Sequence, residues 1–294
     1  MTKWVSKMAF VRFLLRYLYL PAMLLGTIGS GILLIEWGWP KWSLVPLGIL
    51  AILISFMAER VVPYRDDWNR NIGDGRRDAW HAVVNEALNI ASIASVPVIA
   101  VHLALFDLWP SDWPFWLQAL GAILILDLGI TFAHFASHRI SFLWRFHAVH
   151  HSVKRMYGFN GLMKHPVHQS IEMAVGTAPL VLIGLPYNVG AVLGLAVLVQ
   201  LLLQHSNVRY AVGPLRYILA VNSVHRFHHQ KEAGAGDVNF GLFTTLGDRI
   251  LGSYWFDRKK IFRSEDLGIG DRPDYPMSYG AQLIEPFRRQ RRAT

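Results

Sequence analysis

Long apolar runs separated by charged stretches order this chain. Residues 17–36 and 43–58 are the first two runs, and Trp37, Trp39 and Trp42 between them mark an interface belt. Two more follow at 82–106, interrupted at Pro97, and at 115–135, with the short turn LWPSDWP between them at 108–114. These lengths suit helices across a bilayer, with tilt or local thinning absorbing the shortness of the second. Apolar residues return at 171–203 with a break at 184–188, which reads as a helical hairpin that dips into the bilayer and comes back. The pattern predicts an all-α, integral-membrane fold with about four transmembrane helices, a membrane-dipping hairpin and a cytoplasmic histidine-rich cap. GTIGSG at 26–31 has the glycines of a phosphate loop, but it lies inside an apolar run with no strand before it. Close helix packing is therefore the expectation there.

The polar stretches orient these runs. Residues 1–16 form a basic lead with Lys3, Lys7, Arg12 and Arg16. Residues 59–81 carry five arginines, 137–166 are polar and basic, and the chain from 205 onward is polar and ends in RRQRR before the last two residues. With the N-terminus in the cytoplasm, all of these lie on the cytoplasmic side, and of 29 Lys and Arg only Lys41 falls outside. Composition agrees: 53% hydrophobic and 17% charged residues, with a mean hydropathy of +0.29, exceed the apolarity of ordinary soluble domains. The net charge of +9 is spread between apolar runs instead of gathering on one face, so nucleic acid is not an expected partner. The absence of cysteine excludes disulfides, thiolate ligands and iron–sulfur clusters. No small-residue site follows the first apolar run, so a cleaved signal peptide is not expected.

Chemistry gathers in the histidines. Eight of the thirteen fall into three boxes: His134 and His138; His147, His150 and His151; His225, His228 and His229. On a helix, positions three or four apart share a face, so each box can aim two or three imidazoles at one place. Imidazole suits zinc, copper, iron and nickel. A hydrolytic zinc site would add a Glu base in H-E-x-x-H, yet residue 135 is Phe. No box contains the Glu of ferritin-like di-iron proteins. Two metals at four or five imidazoles each remain the reading. A membrane cytochrome is the alternative from another class, with some of these histidines on haem and electron transfer as its function.

These motifs resemble the fatty acid hydroxylase / sterol desaturase superfamily of membrane di-iron oxygenases, with a box order similar to that of alkylglycerol monooxygenase. The resemblance runs over roughly 120–256: Asp127, HFASH at 134–138, LWRFHAVHHS at 143–152, His165-Pro166, HSNV at 205–208, VHRFHHQ at 224–230, DVNFG at 237–241 and GDRILGSY at 247–254. The chain departs from the family pattern at Phe135, where Arg is usual, and at Gly247, where Trp is usual. The resemblance implies O2-dependent hydroxylation, or alternatively desaturation, of a membrane lipid such as a fatty acyl, sterol or ether lipid. It implies two non-haem irons and O2 as co-substrate. Electrons would come from NAD(P)H through a separate donor of cytochrome b5, ferredoxin or reductase type. The active site would face the cytoplasm from a bacterial inner membrane or, in a eukaryote, from the endoplasmic reticulum.

Three regions are expected: membrane helices over 1–114, the di-iron domain over 115–256, and a basic tail over 257–294. His205, alone in its stretch, joins the expected metal ligands through the family element around it. Asp127 lies two turns before His134 and is expected to support that imidazole, since ligating histidines usually donate their other N–H to a carboxylate or carbonyl. Asp237, Asn239 and Asp248 could fix imidazole tautomers, although ordinary turn chemistry also suits a Gly-rich loop. His165 is expected to contact metal or line the pocket, with a helix start as the plain alternative. His81, His102 and His168 are expected to be structural.

Overall fold

The computed structural model describes residues 2–103, 105–232 and 234–288; the side chains of residues 1–6, 97, 100 and 101 and the basic end at 289–294 lie outside that set. Among the described residues the regular structure is helical, with only isolated β-bridges. Helix α1 (Thr2–Pro21) passes through a π-helical stretch, Ala22–Ile28, into α2 (Gly29–Glu36). The wider turns follow directly on Pro21, which lacks the N–H that an α-helical ladder would use. Next come α3 (Leu44–Val61), α4 (Gly75–Leu103), α5 (Phe115–Arg139), α6 (Ser141–His151), α7 (Pro166–Leu182) and α8 (Tyr187–His205). Short helices α9 (Asn222–His225), α10 (Leu246–Leu251) and α11 (Tyr279–Ile284) belong to the polar C-terminal third.

Among the described residues, four stretches are long and apolar enough to cross a membrane: Lys7–Glu36, Lys41–Val61, Phe115–Arg139 and Tyr187–His205. Exposed Leu25, Leu33, Leu53, Met57, Leu120 and Phe132 give the first three an apolar outer face, as lipid contact requires. Three of these coincide with runs read from the sequence, and the second hairpin arm, α8, is the fourth. Helix α4 covers most of the interrupted run at 82–106 and is continuous through Pro97; its inward face carries His81, Asn85 and Asn89, and Val83, Ile90 and Val98 are exposed on it. Helix α8 is apolar all round because it is the central post, packed by α3, α4, α5 and the π-helical stretch.

The hairpin is present, with Gly184 at φ 90° in its turn. That turn meets the far end of α4, where Phe106 N–H donates to the Leu182 carbonyl at 3.0 Å. Both arms thus run the full height of the bundle instead of dipping shallowly. Helices α5 and α7 cross at a glycine pair, where a Cβ on Gly129 would lie 2.7 Å from Gly176 Cα. In the GTIGSG stretch, a Cβ on Gly31 would meet Leu195 at 2.7 Å, which is the expected close packing.

At the opposite end the loops converge into a cap. Asn207 bonds Arg65 and Asn69, and Asn85 bonds the carbonyls of Leu162 and Lys164. A separate apolar cluster, including Trp68, Val149, Met156, Phe227 and Phe262, roofs this cap. All the histidine boxes lie between the roof and the helix bundle.

Candidate metal centre

Helix geometry distributes the boxes. His134 and His138 stand one turn apart at the end of α5. His147, His150 and His151 occupy the last turn of α6, and His205 is the last residue of α8. His225, His228 and His229 sit on α9 and the turn after it. Their nitrogens form two groups that could each hold a metal ion, every donor within 4.8 Å of the others in its group. The first group is His134, His138, His147, His151 and His228; the second is His150, His205, His225 and His229. Each H-x2-H-H box is split. Residues i and i+4 go to one group, and i+3, rotated away on the helical turn, goes to the other. The groups abut, with the His151 and His229 rings 4.9 Å apart.

Carbonyls set which nitrogen faces inward. Three consecutive residues of one loop each offer a backbone oxygen to one ring: Val238 to His228 Nδ1 at 3.0 Å, Asn239 to His225 Nδ1 at 3.4 Å, and Phe240 to His134 Nδ1 at 2.9 Å. Met163 and Leu201 carbonyls do the same for His150 and His205, at 3.0 and 3.1 Å. Asp237 accepts from His138 Nδ1 at 2.9 Å. A carbonyl only accepts, so these Nδ1 atoms carry the protons and the Nε2 atoms present lone pairs. Yet Nε2 of His205 lies 3.3 Å from that of His150 and 3.1 Å from that of His225. Two lone pairs that close repel unless a cation lies between them. Nitrogens about 2.1 Å from one metal would be roughly 3.0–3.4 Å apart, so the spacing fits a shared ion.

Burial holds His147, His150, His151, His225, His228 and His229 well below the ordinary histidine value of 6.5, and neighbouring imidazoles add to the effect. Neutral imidazole is the form that binds metal. In the unfolded chain these rings take up protons as pH falls below about 6.5, whereas the folded rings resist, so stability is lost as pH falls from that value. The metal-free protein is expected to melt several degrees lower at pH 5.5 than at pH 7.5 in a scanning calorimeter. An equal or higher melting temperature at pH 5.5 would contradict neutral burial.

The supporting residues act differently from the expectation. Asp127 reaches no imidazole. Its carboxylate accepts from the N–H groups of Leu242, Phe243 and Thr244 at 2.9, 2.7 and 3.0 Å and from Thr244 Oγ1 at 2.5 Å. It anchors the loop whose Phe240 carbonyl then meets His134. Asp248 likewise holds that loop, accepting from Phe240 N and Gly241 N at 2.7 and 2.9 Å. Asn239, at φ 57°, ties it to Val224 and Trp255 through its side chain. Only Asp237 touches a histidine directly with its side chain, and Arg139 braces it at 3.2 Å.

His165 joins neither group. Its Nδ1 accepts from Val167 N–H as the N-cap of α7, and its Nε2 meets the Leu283 carbonyl at 3.2 Å. His168 is closer than sequence position suggests: its ring is 4.5 Å from that of His147, and its Nε2 bonds Ser137 Oγ at 2.9 Å. His81 bonds the Lys164 carbonyl and Gln282 inside the cap, and His102 is exposed. The orienting carbonyls of Met163, Val238 and Phe240 have no signal in the sequence, because any residue type supplies one.

The fatty acid hydroxylase family model matches residues 119–253, the span that contains both groups. The ornithine lipid hydroxylase OlsE of Rhizobium tropici is 31% identical over 264 residues, covering 85% of this chain and 77% of that protein. The chain belongs to the fatty acid hydroxylase family. Alkylglycerol monooxygenases are also similar: 30% identity to that of Danio rerio and 27% to that of Homo sapiens. Those matches cover 55% and 74% of this chain but only 35% and 47% of the relatives' own lengths. No solved structure matches the chain.

Proposed function

We propose that this protein is a membrane-bound di-iron hydroxylase that inserts one oxygen atom of O2 into a C–H bond of a membrane lipid. The observation that carries the reading is the pair of adjacent, buried, all-imidazole groups with inward lone pairs. Similarity to a lipid hydroxylase and to alkylglycerol monooxygenases supports lipid as the substrate. In this reading His134, His138, His147, His151 and His228 hold one iron, and His150, His205, His225 and His229 hold the other. Bound there, the two irons would supply O2 activation, with electrons from NAD(P)H delivered by a separate protein.

The chain's own residues do the rest. The 238–240 carbonyls, Met163, Leu201 and Asp237 keep the imidazoles in the binding tautomer. The roof of the cap excludes water from that face, and the exposed apolar face of α5, with Phe132 two residues before His134, gives a lipid a lateral approach. The distribution of Lys and Arg supports a cytoplasmic cap on an integral-membrane protein. Haem is disfavoured, because no macrocycle fits between imidazole nitrogens 3.0–3.3 Å apart. Desaturation could use the same site and differs in its product.

Purified protein is expected to carry two irons per chain and no Soret band. With a reducing system and an ornithine lipid or alkylglycerol, it is expected to form a product 16 mass units heavier, or 2 lighter if it desaturates. Less than one iron at full occupancy would remove the di-iron reading. No oxidised product from either lipid with two irons bound would remove the proposed substrate class.

A further inference from the structure

Between α4, α7 and α8 lies a polar stripe that the metal centre leaves unused. Asn85 and Asn89 stand one turn apart on α4, only 1% and 3% exposed, with Glu86 beside them. Glu172 on α7, 1% exposed, is linked to them through Lys164. Each group is half engaged. Asn85 Nδ2 donates to the carbonyls of Leu162 and Lys164 at 2.7 and 2.9 Å. Asn89 Nδ2 donates to Glu86 Oε1 at 3.5 Å, and Lys164 Nζ is ion-paired with one oxygen of Glu172. What remains is all of one kind: Asn85 Oδ1, Asn89 Oδ1, Glu86 Oε2 and Glu172 Oε1 are buried acceptors without a donor.

Charge points the same way. Lys164 is paired with Glu172, and Glu86 has no ion-pair partner among the described residues. A buried, unpaired carboxylate is strongly unfavourable until a cation or a set of donors reaches it. The position of the stripe is equally specific. At one end Glu172 lies 3.7 Å from His168 Nδ1, and the ring of His168 is 4.5 Å from that of His147. At the other, beyond Asn89, a narrow apolar crevice opens between the same three helices, lined by Ile93, Val96, Met173, Leu185 and Val197.

We propose that this stripe binds a primary ammonium head group of the lipid substrate. An ammonium brings three N–H donors, no acceptor and one positive charge, which answers both the leftover acceptors and the excess carboxylate. A phosphate or carboxylate head group would meet only like charge and acceptors. The inference rests on the reading of the chain as a lipid hydroxylase, because it assigns the stripe to that enzyme's substrate.

The test is equilibrium binding of dodecylamine and of dodecanol to the iron-loaded protein in nanodiscs without reductant. Wild type is expected to bind the amine at least tenfold more tightly than the alcohol. Glu86→Gln and Asn89→Leu are each expected to weaken amine binding at least tenfold and to leave dodecanol binding and iron content unchanged. Equal binding of the two probes by wild type, or unchanged amine binding in both variants, overturns the proposal and leaves the stripe to buried water. A protein that discriminates the amine yet oxidises no lipid keeps the binding site and loses the hydroxylase reading. One that oxidises lipid without discriminating does the reverse.

Discussion

Replacing His228 or His150 with alanine is expected to lower bound iron from two per chain to one and to abolish O2-dependent turnover. The two residues test different groups. His228 belongs to the five-imidazole group, and its Nε2 has no hydrogen-bond partner although it is buried. His150 belongs to the four-imidazole group, its Nδ1 held by the Met163 carbonyl at 3.0 Å. Loss of an outer-shell partner alone typically costs 10–100-fold in metal affinity, and removal of a ligand should exceed that. Each alanine also opens a void, so membrane insertion and monodispersity must be checked beside iron content. Two irons and wild-type turnover in either variant would refute that histidine's place in the centre.

Asp127→Ala should lose iron from both groups without touching either. The substitution leaves the N–H groups of Leu242, Phe243 and Thr244 without their acceptor. At about 1–3 kcal/mol per stranded buried group, partly relieved by relaxation, the loss is about 3–5 kcal/mol. That corresponds to a melting temperature lower by roughly 10 °C. The same loop carries the carbonyls that orient His228, His225 and His134, so its release frees those rings to turn. Asp127→Asn retains one accepting oxygen and should fall between alanine and wild type. A normal melting temperature with full iron in the alanine variant would show that the loop holds itself.

Much of this centre was legible in the residues, and the reasons are local. Spacings of three and four on a helix put imidazoles on one face whatever surrounds them, so the boxes could be read directly. His205 lacked a neighbour and was reached only through the family element around it. Asp127 stands out as an ionisable group in an apolar run, but its partner was not legible. It bonds residues 115–117 positions away, not the histidine two turns along its own helix. His165 illustrates the opposite case. A His-Pro pair is both a family signature and a good helix start, and in this chain the cap geometry decides its contacts.

The membrane helices divide in the same way. All four apolar runs are long helices with exposed apolar side chains, Val83, Ile90 and Val98 on α4 among them, and a hydropathy pattern reads such faces well. What the pattern does not tell is an inward face from an outward one. The polar stripe of α4 is turned into the bundle, and the uniformly apolar α8 is buried by protein.

By itself, then, the sequence determined the all-helical membrane architecture, the exclusion of thiolate chemistry, and the histidines of the candidate centre. Each follows from composition or from spacing within one turn. Tertiary structure alone decided how nine imidazoles divide into groups of five and four. It also decided which backbone carbonyls aim them and where the unused acceptors of α4 face. Those outcomes depend on contacts between segments far apart in the chain, selected by how α5, α7 and α8 pack.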